Sequence, residues 1–262
     1  MLSAFAVIII TMAALIPVER KQQLYDKWGQ IAVLAETDTR AQYIIENEQL
    51  YPELIINILR NDPEGEIGYV YNYPFHKDDY RTMSYTEEEL DGRVPALYTD
   101  DPRWSYELFD DYFFIKKSGC EAVTLTMAYI ALTGKDDLDP YKVVLLADEM
   151  GAIGVFGGIS NNYTMDMIRA VGLNAVEYSF VDENRRKDKS ADIEAMKSIL
   201  DSGHLIMAGM VGSTFGSHAL IIRGYEGDSF YINDPASREK SSRLWSFEEL
   251  DPELYYVWDL YA

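Results

Sequence analysis

The sequence predicts an α+β fold, with helices first and an antiparallel sheet last. Three observations carry this expectation. Through most of residues 20–201 the apolar residues recur three and four apart, as the buried stripe of a helix requires. From His204 onward the period changes: HLIMAGMV, HALIIRGYE and SFYINDP are short apolar runs separated by glycine-rich turns. Finally, strands and helices do not alternate as βαβ units would require.

Three segments follow in order. Residues 1–19 contain an uncharged run, Leu2–Val18, at the short end of what spans a bilayer. No Lys or Arg precedes it and no small-residue cleavage site follows, so an anchor is favoured over a signal segment or a buried helix. Residues 20–94 read as a helical extension. KQQLYDKWGQIAVLAE is amphipathic, and NEQLYPELIINILRN places Leu50, Leu54, Ile55, Ile58 and Leu59 on one face, with Pro52 in its first turn. NDPEG ends that helix, and a polar stretch follows. It holds one short helix at SYTEEELDG, capped by Ser84 or Thr86 and closed by Gly92.

Residues 95–262 form the main domain. KKSGCEAVTLTMAYIALTG sets a cysteine at or near a helix start, after Gly119. DPYKVVLLADEMG and NYTMDMIRAVGL are further helices, the first opened near Pro140 and the second closed by Gly172. NAVEYSF is a short strand, DENRRKDKSAD a solvated loop, and SADIEAMKSILDSG a helix capped by Ser190 or Asp192. The three apolar runs then supply adjacent antiparallel strands.

Composition narrows the function. Lys and Arg number 23 against 44 Asp and Glu, a net charge of −21 that repels nucleic acid and anionic headgroups. The single cysteine excludes an internal disulfide and any multi-cysteine zinc site. His76, His204 and His218 lack metal-ligand spacing, so neither metal nor cofactor is expected.

Cys120 has two readings. The partial positive charge of a helix N-terminus favours a thiolate nucleophile, whereas free cysteines are often buried and inert. A nucleophile needs a base, and the base an orienting group. His218 opens the run HALIIRGYE, where a strand-start side chain can face a cleft. Asp234 ends the next strand, and an antiparallel pairing would bring it beside His218. His204 reads as structural.

Together these segments resemble a known family. SGC before a helical TLTMAYIALTG, then SHALIIRGYEGDSFYINDP, is similar to the bacterial double-glycine, bacteriocin-processing cysteine peptidases of the papain-like group. The closer resemblance is to stand-alone relatives without a transporter domain. YPELIINILRNDPE, DPRWSY and DPASREKSSRLWSFEEL resemble flanking stretches, so the likeness spans roughly residues 50–260. It implies a papain-like cysteine peptidase fold, a peptide or protein substrate, and a triad of Cys120, His218 and Asp234.

The departures are local. The family's Cys-Gly-Pro is Cys120-Glu121-Ala122 here, and Ser217 replaces the usual glycine before the histidine. Many papain-like enzymes carry an oxyanion-stabilising Gln about six residues before the cysteine; this chain has Phe114. A carboxylate at Glu121 pointing toward the sulfur would oppose the thiolate. The chain therefore reads as a thiol-dependent peptidase, with a catalytically inactive peptide-binding module as the alternative. A membrane-anchored or secreted location, with the catalytic domain extracellular, is the expectation from residues 2–18. Arg20 and Lys21 favour the opposite orientation by the positive-inside rule. Residues 20–94 are expected to be a docking or inhibitory extension.

Overall fold

The computed structural model describes residues 27–109, 113–154 and 157–262. The apolar run Leu2–Val18 lies outside them. Among the described residues no helix is long and apolar enough to cross a membrane. The chain divides into two compact units, the first ending at Asp78 and the second running Asp79–Ala262.

The first unit contains α1 (Gln30–Leu34), α2 (Thr39–Glu46), α3 (Glu53–Asn61) and α4 (Pro63–His76). Ile31, Ile44, Ile55, Leu59 and Val70 are fully buried in it. The sequence leads one to expect a polar stretch after NDPEG, but α4 starts there. The Asp62 carboxylate accepts the Gly65 N–H at 3.0 Å, and Pro63 occupies the first turn. One Asp-Pro pair both stops α3 and starts α4. Proline cannot donate to the helix before it, yet its fixed φ suits the first turn of the next.

In the second unit α5 (Glu87–Leu90) is opened by a reciprocal cap between Thr86 and Glu89. Residues 79–94, grouped by sequence with the extension, contact this unit. The Tyr85 hydroxyl donates to the Leu138 carbonyl at 2.8 Å, and Arg103 donates to the Ser84 carbonyl at 2.8 Å. A small antiparallel pair, β1 (Leu108–Phe109) and β2 (Phe113–Phe114), leads into α6 (Ile115–Ser118) and α7 (Cys120–Thr133). Then come α8 (Pro140–Glu149), α9 (Thr164–Ala170), β3 (Asn174–Ser179) and α10 (Ile193–Asp201). Asp192 caps α10, accepting from the Glu194 and Ala195 N–H groups.

The sheet follows as β4 (Leu205–Gly212), β5 (Gly216–Glu226), β6 (Ser229–Asn233), α11 (Arg238–Ser241), β7 (Leu244–Ser246), α12 (Phe247–Leu250) and β8 (Leu254–Tyr261). Its order is β3-β8-β4-β5-β6-β7, antiparallel at every junction. The alternation of β4 and β5 separates two cores. Leu205, Met207, Ala219 and Ile221 pack with α7, α8 and α9. Ile206, Ala208, Leu220 and Ile222 pack with Met196, Ile199 and Leu200 of α10. β8 joins β3 to β4 inside the sheet and supplies Trp258 and Leu260 to the first core. The sequence reading did not single out this strand.

Candidate active site

Cys120 is the first residue of α7, directly after Gly119. The glycine is required on steric grounds: a Cβ there would stand 2.5 Å from the Ile115 side chain and 2.6 Å from its carbonyl oxygen. The approach to the helix is pinned by backbone bonds, the Ile115 N–H to Glu107 and the Lys116 N–H to Ser105. One turn into α7 the buried Thr124 hydroxyl donates to the Ala219 carbonyl at 3.1 Å. That bond fastens the cysteine's helix to the residue next to His218.

His218 lies near the start of β5, and Asp234 directly follows the end of β6. The antiparallel pairing of these strands brings the two together. His218 Nε2 is 2.6 Å from Asp234 Oδ1, with the two side chains only 8% and 1% exposed. A carboxylate can only accept, so Nε2 carries the proton, and Nδ1 is left for the sulfur. Burial by itself would lower the imidazole pKa. Hydrogen bonding to Asp234 and an interaction with Cys120 outweigh burial, and the ring is pushed up to about 9. The three residues nominated by sequence thus share one place in the fold, with Cys120 only partly buried.

Several supporting groups were not nominated. Asp234 Oδ1 also accepts the Ala236 N–H at 2.8 Å, and the Asp234 N–H donates to Ser241 Oγ at 2.9 Å. Lys240 Nζ lies 3.9 Å from Asp234 Oδ2 and donates to the Thr214 carbonyl at 2.6 Å, tying the β4–β5 turn to this carboxylate. Asn233 donates to the Pro95 carbonyl at 3.0 Å and accepts from Arg223 Nε at 2.9 Å, fixing the strand end. These contacts join residues far apart in sequence, and no local pattern marks them.

Cys120 and His218 open onto a cleft of about 240 Å³. One wall is the loop at Gly157-Gly158, which crosses close to Ser118. A Cβ on Gly158 would stand 2.8 Å from the Ser118 carbonyl oxygen, and Gly158 has φ +72°. The position of the family's Gln holds Phe114, a buried side chain of β2. It offers no side-chain hydrogen-bond donor.

Glu121 corrects one expectation. Its side chain is 6% exposed, and burial raises the carboxyl to about 8 despite the nearby Thr164 hydroxyl. It is therefore neutral at pH 7 and sets no carboxylate against the thiolate there. His204, read as structural, pairs through Nδ1 with Asp259 Oδ1 at 2.7 Å and stacks on Tyr261.

A C39-like protein from Bacillus anthracis is similar at 16% identity, covering 63% of this chain and 93% of that one, with a TM-score of 0.40. The peptidase domain of Streptococcus ComA, a bifunctional ABC transporter, is 12% identical over 55% of this chain and 92% of that one, with a TM-score of 0.37. A double-glycine-motif protease from an AMS/PCAT transporter, solved with its leader peptide, is 21% identical over 54% and 82%, with a TM-score of 0.31. No curated protein matches. The model of the Peptidase_C39-like family matches residues 104–261. That span takes in α7 and the whole sheet, and the mixed helix and antiparallel-sheet architecture is papain-like. The chain belongs to the C39-like peptidase family.

Proposed function

We propose that this chain is a thiol-dependent hydrolase that cleaves a peptide bond through Cys120, His218 and Asp234. The observation that carries the reading is the His218 ring, 2.6 Å from Asp234 Oδ1 and in interaction with Cys120. A base oriented on one nitrogen and facing a thiol on the other is what nucleophilic catalysis by cysteine requires.

The steps balance without a cofactor. Transfer of the thiol proton to His218 Nδ1 gives a thiolate and an imidazolium. The sulfur attacks the peptide carbonyl carbon, and the carbonyl π electrons move onto oxygen. Collapse of this tetrahedral species breaks the C–N bond, and the imidazolium gives its proton to the leaving amine. A water then loses a proton to His218 and attacks the thioester. The C–S bond breaks and the sulfur recovers the proton. Asp234 keeps the Nε2–H directed at itself throughout.

The test is turnover of a peptide by the full chain and by Cys120→Ala, with trapping of an acyl-enzyme by mass spectrometry. A folded Cys120→Ala protein should be inactive. A wild-type Cys120 that resists iodoacetamide at neutral pH would overturn the reading. A second reading, a peptide-binding homologue without turnover, is favoured by Phe114 in the place of a side-chain oxyanion donor. It expects peptide affinity with no acyl-enzyme. For residues 2–18 we retain the anchor proposal. Its test is whether deleting them moves the protein from the membrane to the soluble fraction.

A further inference from the structure

Asp234 carries two oxygens, and the mechanism above uses one of them. Oδ1 accepts from the His218 ring and from the Ala236 N–H. Oδ2 is sealed from solvent with no hydrogen-bond partner, in a side chain only 1% exposed. A buried carboxylate oxygen left in this way is costly unless a charge stands close to it. Among the described residues, the one Lys or Arg that pairs with this carboxylate is Lys240 of α11, whose Nζ lies 3.9 Å from Oδ2. The ammonium is anchored in that place. It donates to the Thr214 carbonyl at 2.6 Å and lies 4.7 Å from the centre of the Phe215 ring. The turn that supplies both contacts is itself held, because the Glu253 carboxylate accepts the Thr214 and Phe215 N–H groups at 2.9 and 3.0 Å. On the backbone side, the Trp245 indole donates to the Lys240 carbonyl at 2.9 Å.

We propose that Lys240 is a positioning residue of this site, partnering the second oxygen of Asp234 and so limiting how strongly His218 holds its proton. This deepens the peptidase reading and rests on it for the catalytic consequence. A cation beside the carboxylate offsets part of the field that Asp234 sets at the imidazolium. The ring then gives its proton to the leaving amine more readily than a lone Asp-His couple would. The other titratable groups around the couple act differently. Cys120 of α7, as thiolate, strengthens the ring's hold on the proton, as Asp234 does. Lys117 of α6 and Glu121 of α7 line the cleft, the latter neutral at pH 7. Glu253 is committed to the turn, and Arg238, in the same helix as Lys240, pairs with Asp100 at 2.8 Å.

The experiment uses the full chain. His218 is titrated by NMR in wild type, Lys240→Met, Lys240→Gln and Lys240→Arg, and cleavage of a degenerate peptide library is followed across pH by mass spectrometry. In Lys240→Met the His218 titration should rise by about half a pH unit or more, a roughly threefold tighter hold on the proton. The alkaline limb of library cleavage should move up with it. Lys240→Gln removes the charge but keeps a donor at that position. It should repeat the shift, and it decides the matter if the Met variant fails to fold. Lys240→Arg keeps the charge and should titrate as wild type does. An unmoved His218 titration in the neutral variants overturns the inference and leaves the peptidase reading intact. So does an equal shift in all three variants, which marks lost packing rather than lost charge. A shift confined to the neutral variants, in a protein that cleaves no peptide, keeps Lys240 as the partner of the couple and overturns the peptidase reading.

Discussion

His218 Nε2 and Asp234 Oδ1 lie 2.6 Å apart, although sixteen residues separate them in the chain. The β5–β6 hairpin closes that gap, and its two ends carry the base and the group that orients it. Asp234→Asn should therefore damage the base more than the fold. The amide can still accept a hydrogen bond, but it no longer stabilises an imidazolium. Turnover should fall by roughly 10²–10⁴-fold, the range of an impaired general base. The His218 titration, followed by NMR, should drop from about 9. An unchanged titration would remove Asp234 from this role.

Stability should carry the same signature. The His218 value in the fold, about 9, lies above its ordinary 6.5. The charged ring therefore stabilises the native state fully below about pH 6.5, and that contribution is lost as pH rises through 9. The stability gap between wild type and His218→Gln should be widest near pH 6 and narrow by on the order of 3 kcal/mol by pH 10. Denaturant melts at the two pH values measure it, and a pH-independent gap would contradict the assignment.

Glu121 predicts a dependence centred elsewhere. Its carboxyl is held near 8 in the fold against an ordinary 4.5. Between those values the unfolded chain is ionised and the native chain is not, so native stability falls as pH rises and levels off above 8. Glu121→Gln removes this loss. The variant should match wild type near pH 4.5 and exceed it by on the order of 4 kcal/mol near pH 8. Parallel stability curves for the two proteins would refute a buried, neutral carboxyl.

Gly158→Ala tests the cleft wall. The substitution forces a side chain into φ +72° and sets its Cβ 2.8 Å from the Ser118 carbonyl oxygen. A cost of about 1–3 kcal/mol is expected, with a displaced loop and reduced kcat/KM. Gly172→Ala is the control. It shares a positive φ of +87° but meets nothing within 4 Å, so it should lose stability without the loss of kcat/KM.

Much of the site was legible because its parts sit at boundaries that local chemistry marks. Gly119 before an apolar helical run fixed Cys120 at a helix start. The switch to strand periodicity put His218 and Asp234 at the ends of neighbouring strands. Other parts left no local trace. The Asp-Pro at 62–63 reads as a stop, and only the packing of Ile67 and Val70 reveals the helix it begins. LYYVWDLY at the C-terminus becomes an interior strand because β3 and β4 flank it, residues that lie about 80 and 50 positions earlier.

The sequence by itself determined the α+β order, the helix start at Cys120 and the three residues nominated for catalysis. These depend on periodicity, capping and turn chemistry, which act over a few residues. Tertiary structure alone decided that Asp234 faces Nε2, that Lys240 stands near its other oxygen, and that Glu121 is buried beside Thr164. Those outcomes depend on distances and desolvation between distant segments, and both exist only once the sheet has closed against α7.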